Sequence, residues 1–111
     1  MATISNLYVD AGSTYSNIIT VSASNGQALD LTGYTVASQM RKSYASSTSY
    51  NFTASIYNAS LGKVRLQLTN TQSEAIPAGR WLYDVEIKSP SGAVTRVVEG
   101  IVTVNPQITQ I

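Results

Sequence analysis

Arg80-Trp81-Leu82-Tyr83-Asp84-Val85-Glu86-Ile87-Lys88, then Ser89-Pro90-Ser91-Gly92, then Ala93-Val94-Thr95-Arg96-Val97-Val98-Glu99-Gly100-Ile101-Val102-Thr103-Val104 is the stretch that decides the fold class. Two runs rich in β-branched and aromatic residues flank a four-residue turn, which is the pattern of a β-hairpin. Pro90 fits the second turn position, where φ of about −65° is required. Gly92 supplies the positive φ that closes a type I turn with a bulge. In this register Glu86 faces Arg96 across the ladder, and Trp81, Tyr83, Val85 and Ile87 share one face. An isolated hairpin is marginal in water, so the rest of the chain is expected to cover that face.

The pattern continues upstream. Val64, Leu66 and Leu68 alternate with Arg65 and Gln67, and Tyr50, Phe52, Ala54 and Ile56 alternate with Asn51, Thr53 and Ser55. Both runs read as half-buried strands, joined by a turn at residues 58–62. Residues 34–42 form another strand, with Tyr34, Val36, Ser38 and Met40 on one face and Thr35, Ala37, Gln39 and Arg41 on the other. Residues 15–22 make a strand followed by a tight Asn25-Gly26 turn. Residues 3–9 make the first strand, with Ile4, Leu7 and Val9 as its apolar members.

The only helical candidate is residues 70–76. Thr71 and Glu74 have capping-box spacing, and Pro77 stops the helix. This predicts a single helical turn that crosses from one sheet to the other. About seven strands with Gly, Asn and Pro turns, and no helix long enough for a βαβ crossover, predict an all-β antiparallel sandwich. One domain is expected over residues 1–111. Its core runs from about residue 3 to 104, and residues 105–111 form a C-terminal arm after Pro106 ends the ladder.

Composition narrows the chemistry. Only 12% of the 111 residues are charged and the formal net charge is +1, so long-range attraction to nucleic acid or to an anionic membrane has little source. The chain has no Cys and no His. Disulfides, thiolate chemistry, the usual general base and the commonest zinc ligand are therefore missing. No basic region followed by an apolar stretch opens the sequence, so no secretory signal is expected. No apolar run approaches the roughly 20 residues of a membrane helix. Asn51-Phe52-Thr53 and Asn58-Ala59-Ser60 match the glycosylation pattern and read as chance matches.

Asp84 and Glu86 lie two apart on one strand and point the same way. Two such carboxylates can serve as acid and base or hold a cation; a solvated strand face with Glu86 paired to Arg96 is the simpler reading. Arg41 and Lys42 near Tyr44, with Lys63 and Arg65, sketch a small basic patch beside aromatics, as single-strand binders use, or ordinary surface charge on adjacent strands. Gly100 inside a strand implies a bulge or a close backbone approach. Trp81, at the head of an alternating strand, reads as core. The expectation is that the protein is not an enzyme and takes no cofactor and no metal.

Four stretches carry a resemblance. They are Asp30-Leu31-Thr32-Gly33-Tyr34 with Arg41-Lys42 after it; residues 62–69; Ala78-Gly79-Arg80-Trp81-Leu82-Tyr83-Asp84-Val85-Glu86-Ile87; and Arg96-Val97-Val98-Glu99-Gly100-Ile101-Val102-Thr103-Val104. In order and spacing the chain resembles the immunoglobulin-like N-terminal domain of the phage baseplate upper protein family, and small structural proteins of tailed phages, including cyanophages. The resemblance implies an immunoglobulin-like β-sandwich in the virion, assembled in the host bacterial cytoplasm, that docks a fibre or another component onto a tail, baseplate or neck. The larger family members continue into a helical or fibre region downstream, so this chain is not expected to be the long arm itself. A capsid decoration protein is the alternative within that class. A carbohydrate- or receptor-binding module that uses Tyr44, Tyr50 and Trp81 as stacking surfaces is the alternative from another class. The expected partners are other virion proteins or further copies of this chain, not nucleic acid or membrane. Ile4, Leu7, Tyr44, Tyr50, Ile108 and Ile111 are the candidate interface residues.

Overall fold

The computed structural model describes residues 3–23, 26–43, 45–106 and 108. Its elements run β1 (Thr3–Ile4), β2 (Leu7–Asp10), β3 (Tyr15–Thr20), β4 (Thr35–Arg41), β5 (Ser49–Asn58), β6 (Lys63–Leu68), α1 (Asn70–Ala75), β7 (Gly79–Lys88) and β8 (Val94–Asn105). The fold is all-β with one short helix, as the alternation predicts. The strand order is β1-β8-β7-β4-β5-β6-β3, and β2 also lies on β8. This places β3, β6 and β5 in one half and β4, β7 and β8 in the other, the partition of an immunoglobulin-like sandwich.

Three details differ from expectation. Eight strands are present among the described residues, because the N-terminal run breaks at Ser5-Asn6 into β1 and β2. Both of these pair parallel to β8, so the sheet is not wholly antiparallel. The two halves are also one continuous sheet curled into a half-barrel. Strand β5 joins them: residues 49–52 pair with β4 and residues 53–58 with β6.

The opening hairpin forms as read. Gly92 has φ of 97°, and the Ser89 N–H donates to the Ala93 carbonyl at 2.8 Å. Trp81, Tyr83, Val85 and Ile87 are all buried, against Val98, Val102 and Val104 of β8 and Leu66 and Leu68 of β6. Aromatic rings bridge the halves. Phe52 meets Tyr15 at 6.0 Å and Tyr83 at 6.1 Å between centroids. The Trp81 indole N–H donates to the Pro77 carbonyl at 3.0 Å.

The helix connects β6 to β7 as expected, but its cap lies two residues earlier than predicted. Thr69, not Thr71, is the N-cap; its hydroxyl accepts from the Gln72 N–H, and the Gln72 side chain accepts from the Thr69 N–H. That frame turns Ser73 inward, where it is fully buried and donates to the Ser13 carbonyl at 2.8 Å. It also buries Ile76 just before Pro77. The expected Asn25-Gly26 turn falls partly outside the described residues.

Candidate docking surfaces

The outward residues of β4, β7 and β8 form a grid. Arg41, Leu82 and Ile101 make one row, Gln39, Asp84 and Glu99 the next, and Ala37, Glu86 and Arg96 the third. This face carries a groove of about 570 Å³ whose apolar lining includes Ile4, Leu82 and Ile101. Glu86 and Arg96 are register partners, as the turn predicts. The ion pairs of Arg96, however, go elsewhere: to Asp84 at 3.1 Å and Glu99 at 3.3 Å. The cause is a bulge. Val85 pairs with Val98 and Glu86 with Arg96, so Val97 has no partner of its own and β8 gains twist there. Asp84 first, then the hydrogen bond with Glu99, hold the Arg96 guanidinium above its ordinary pKa.

Beside the groove the N-terminal strand is locked down. The Ser5 N–H donates to the Glu99 carbonyl at 2.9 Å. The Tyr83 hydroxyl donates to the Ser5 carbonyl at 2.5 Å, and the Asn6 side-chain oxygen accepts the Ile101 N–H at 3.1 Å. Gly100 makes this possible, since a Cβ there would lie 2.9 Å from the Ser5 carbonyl carbon. Close backbone approach, the second of the two reasons expected for a strand glycine, is therefore the one that applies. Burial pushes the Tyr83 phenol up to about 12, with the Ser5 side chain opposing it.

Strand β3 ends the sheet on the other side, paired only with β6 among the described residues. It carries no charge, no proline and no bulge, the features that usually blunt an edge. Ile18 is 41% exposed on its outer side, and Tyr15 and Ile19 are half-buried at the open rim.

The six expected interface residues scatter. Ile4 is 73% exposed and lines the groove. Leu7 is in the core, a correction with a simple cause: three residues from Ile4 along extended chain, it points to the opposite face. Tyr50 is half-buried and packs edge to face on Trp81 at 5.3 Å. Ile108 is exposed. Tyr44 and Ile111 lie outside the described residues. Ile101, exposed and lining the groove with Ile4, and Tyr8, exposed further along β8 opposite Thr103, are outward apolar residues that the sequence reading missed. The alternation Tyr8-out, Leu7- and Val9-in was the available signal.

The basic residues do not gather. Strands β4 and β6 are not adjacent, because β5 lies between them. Arg41 donates to the Ser46 carbonyl and to Gln39. Lys42 sits 4.7 Å over the Trp81 ring, and Arg65 4.4 Å over the Tyr57 ring.

No protein-family model and no curated protein matches this sequence. Among solved structures, the chain is similar to an internalin-like protein of Listeria monocytogenes, at 12% identity and a TM-score of 0.48 over 94% of this chain. It spans 28% of that protein's chain.

Proposed function

We propose that this chain is a non-enzymatic structural protein of a tailed-phage virion, a tail, baseplate or neck adaptor that docks a fibre or another virion component. The observation that carries the docking role is the pair of exposed side chains Ile4 and Ile101, which line one groove with Leu82 on the outer face. Contiguous exposed apolar surface marks sites where another molecule binds. The virion assignment comes from the sequence resemblance. Trp81 is buried and the half-buried Tyr50 packs edge to face on it, which favours assembly over a sugar-stacking platform. In this reading the partners are other virion proteins, and the protein works in the assembled particle after synthesis in the host bacterial cytoplasm.

The test is direct. Purified particles of the encoding phage, dissociated and analysed by mass spectrometry, should contain the chain in fixed stoichiometry. A doubly substituted Ile4→Asp, Ile101→Asp chain that melts like the parent should enter particles at least tenfold less. Absence of the parent chain from particles would refute the virion reading. Full incorporation of the double variant would refute the docking groove.

A further inference from the structure

We infer that β3 is a self-pairing edge: two copies of this chain join β3 to β3, antiparallel about a two-fold axis at Ile18, and extend the sheet from one copy into the next. The backbone phase supports this. The Val21 N–H donates to the Gly62 carbonyl at 2.7 Å, one step beyond the Thr20–Lys63 pair. Residues of an antiparallel strand alternate in the side to which their N–H and C=O turn. Tyr15, Asn17 and Ile19 therefore turn theirs to β6, and Ser16, Ile18 and Thr20 turn theirs outward, where no described strand meets them.

A two-fold axis at Ile18 puts Ser16 opposite the partner's Thr20 and Ile18 opposite the partner's Ile18. Every outward N–H and C=O of that set then finds a partner. The period of two keeps outer residues against outer and inner against inner, so the half-buried Tyr15 and Ile19 stay on the core side and gain cover. Charge permits the pairing. The strand itself has none, and the two Arg65 side chains would stand three strand spacings apart, about 14 Å, beyond the Debye length of about 8 Å at physiological salt. The opposite edge offers no equivalent, because β1 and β2 are parted at Ser5-Asn6. An edge of six residues buries little area, so the dimer belongs to the weak, reversible class.

The experiment uses the full chain in sedimentation velocity from about 10 μM to about 1 mM, the range that so small an interface demands. The parent should shift from monomer to dimer with concentration. Ile18→Glu sets a carboxylate beside Arg65 within the fold but opposite its own copy in the dimer, and should lose the shift. Ile18→Lys should lose it as well. An equal mixture of the two should regain it, because position 18 then meets opposite charge. Melting checks that both variants fold. In the parent dimer, amide exchange at Ser16, Ile18 and Thr20 should slow at least tenfold relative to dilute protein. A parent that stays monomeric with fast exchange at these amides, or a mixture that stays monomeric, overturns the proposal. The test reads dimerisation in solution and stands apart from the virion reading.

Discussion

Gly100→Ala gives the sharpest test of how the N-terminal strand is held. Alanine fits a strand better than glycine does, so propensity alone predicts a gain of up to about 1 kcal/mol. The structure predicts a loss. The new Cβ would stand 2.9 Å from the Ser5 carbonyl carbon and 3.0 Å from the Asn6 side-chain oxygen. Carbon atoms in unstrained contact lie about 3.5–4.0 Å apart, so Ser5 must retreat by roughly an ångström. That movement strains or breaks three hydrogen bonds: Ser5 to Glu99, Tyr83 to Ser5, and Ile101 to Asn6. At about 0.5–1.5 kcal/mol each, the expected net loss is about 2–3 kcal/mol. Urea unfolding measures it, and amide exchange at Ile4 and Ser5 shows whether β1 has detached while β7 and β8 stay protected. Tyr83→Phe in the Gly100→Ala background should cost less than in the parent, because the two share a partner. A Gly100→Ala protein as stable as the parent, with β1 still protected, would refute the reasoning.

Tyr83 should also set an alkaline limit. Its folded pKa of about 12 exceeds the unfolded value of about 10, so its contribution is complete below pH 10 and is lost as the pH rises toward 12. The loss is on the order of 2 kcal/mol, and Tyr83→Phe should flatten that part of the stability profile. Asp30 works in the other direction. The Thr32 hydroxyl and N–H hold its carboxylate below the ordinary value, so this contact stabilises above about pH 4 and fades as the pH falls through the folded value; Thr32→Ala should move the Asp30 titration up in NMR. Thr69→Ala removes the helix cap and should cost about 1 kcal/mol in urea unfolding, whereas Thr71→Ala should cost far less. Arg96→Gln should lose stability that added salt or a second Asp84→Asn change restores, and an Arg96→Gln protein indifferent to salt would count against the ion network.

The hairpin was legible because its local signals agree. Pro90 and Gly92 set the turn, and Trp81 to Ile87 alternate without interruption. The bulge was harder to see, yet it leaves a trace. In strict alternation Arg96 shares a face with Val98, Val102 and Val104, which would bury a guanidinium. One extra residue between Arg96 and Val98 removes that conflict. The break at Ser5-Asn6 left no such trace, since Ile4 outward and Leu7 inward is what one continuous strand would also give. The helix frame was ambiguous because Thr69 with Gln72 and Thr71 with Glu74 have the same spacing. What separated them was the burial of Ser73 and Ile76, which depends on packing against distant chain. The pairing of β1 and β2 with β8, and the place of β3 at the end of the strand order among the described residues, are choices among partners far apart in sequence. Nothing local encodes them.

The bulge at Val97 also accounts for the electrostatics of the outer face of β7 and β8. Asp84 and Glu99 are direct cross-strand partners, and like charges in that position repel. Without a cation between them the pairing of β7 and β8 would be weakened near its centre. The extra residue lets Arg96, three residues before Glu99, reach both carboxylates. A turn-proximal reading assigns Arg96 to Glu86; the folded chain assigns it to the pair that needs neutralising. Glu86 is then left at the edge of the groove as a carboxylate with no ion pair among the described residues, while Leu82, Ile101 and Ile4 form the apolar lining beside it. Packing of the core fixes the register, the register creates the like-charged pair, and the bulge resolves it. What remains outside is a face on which two facing carboxylates share one guanidinium, with its apolar lining open to a partner.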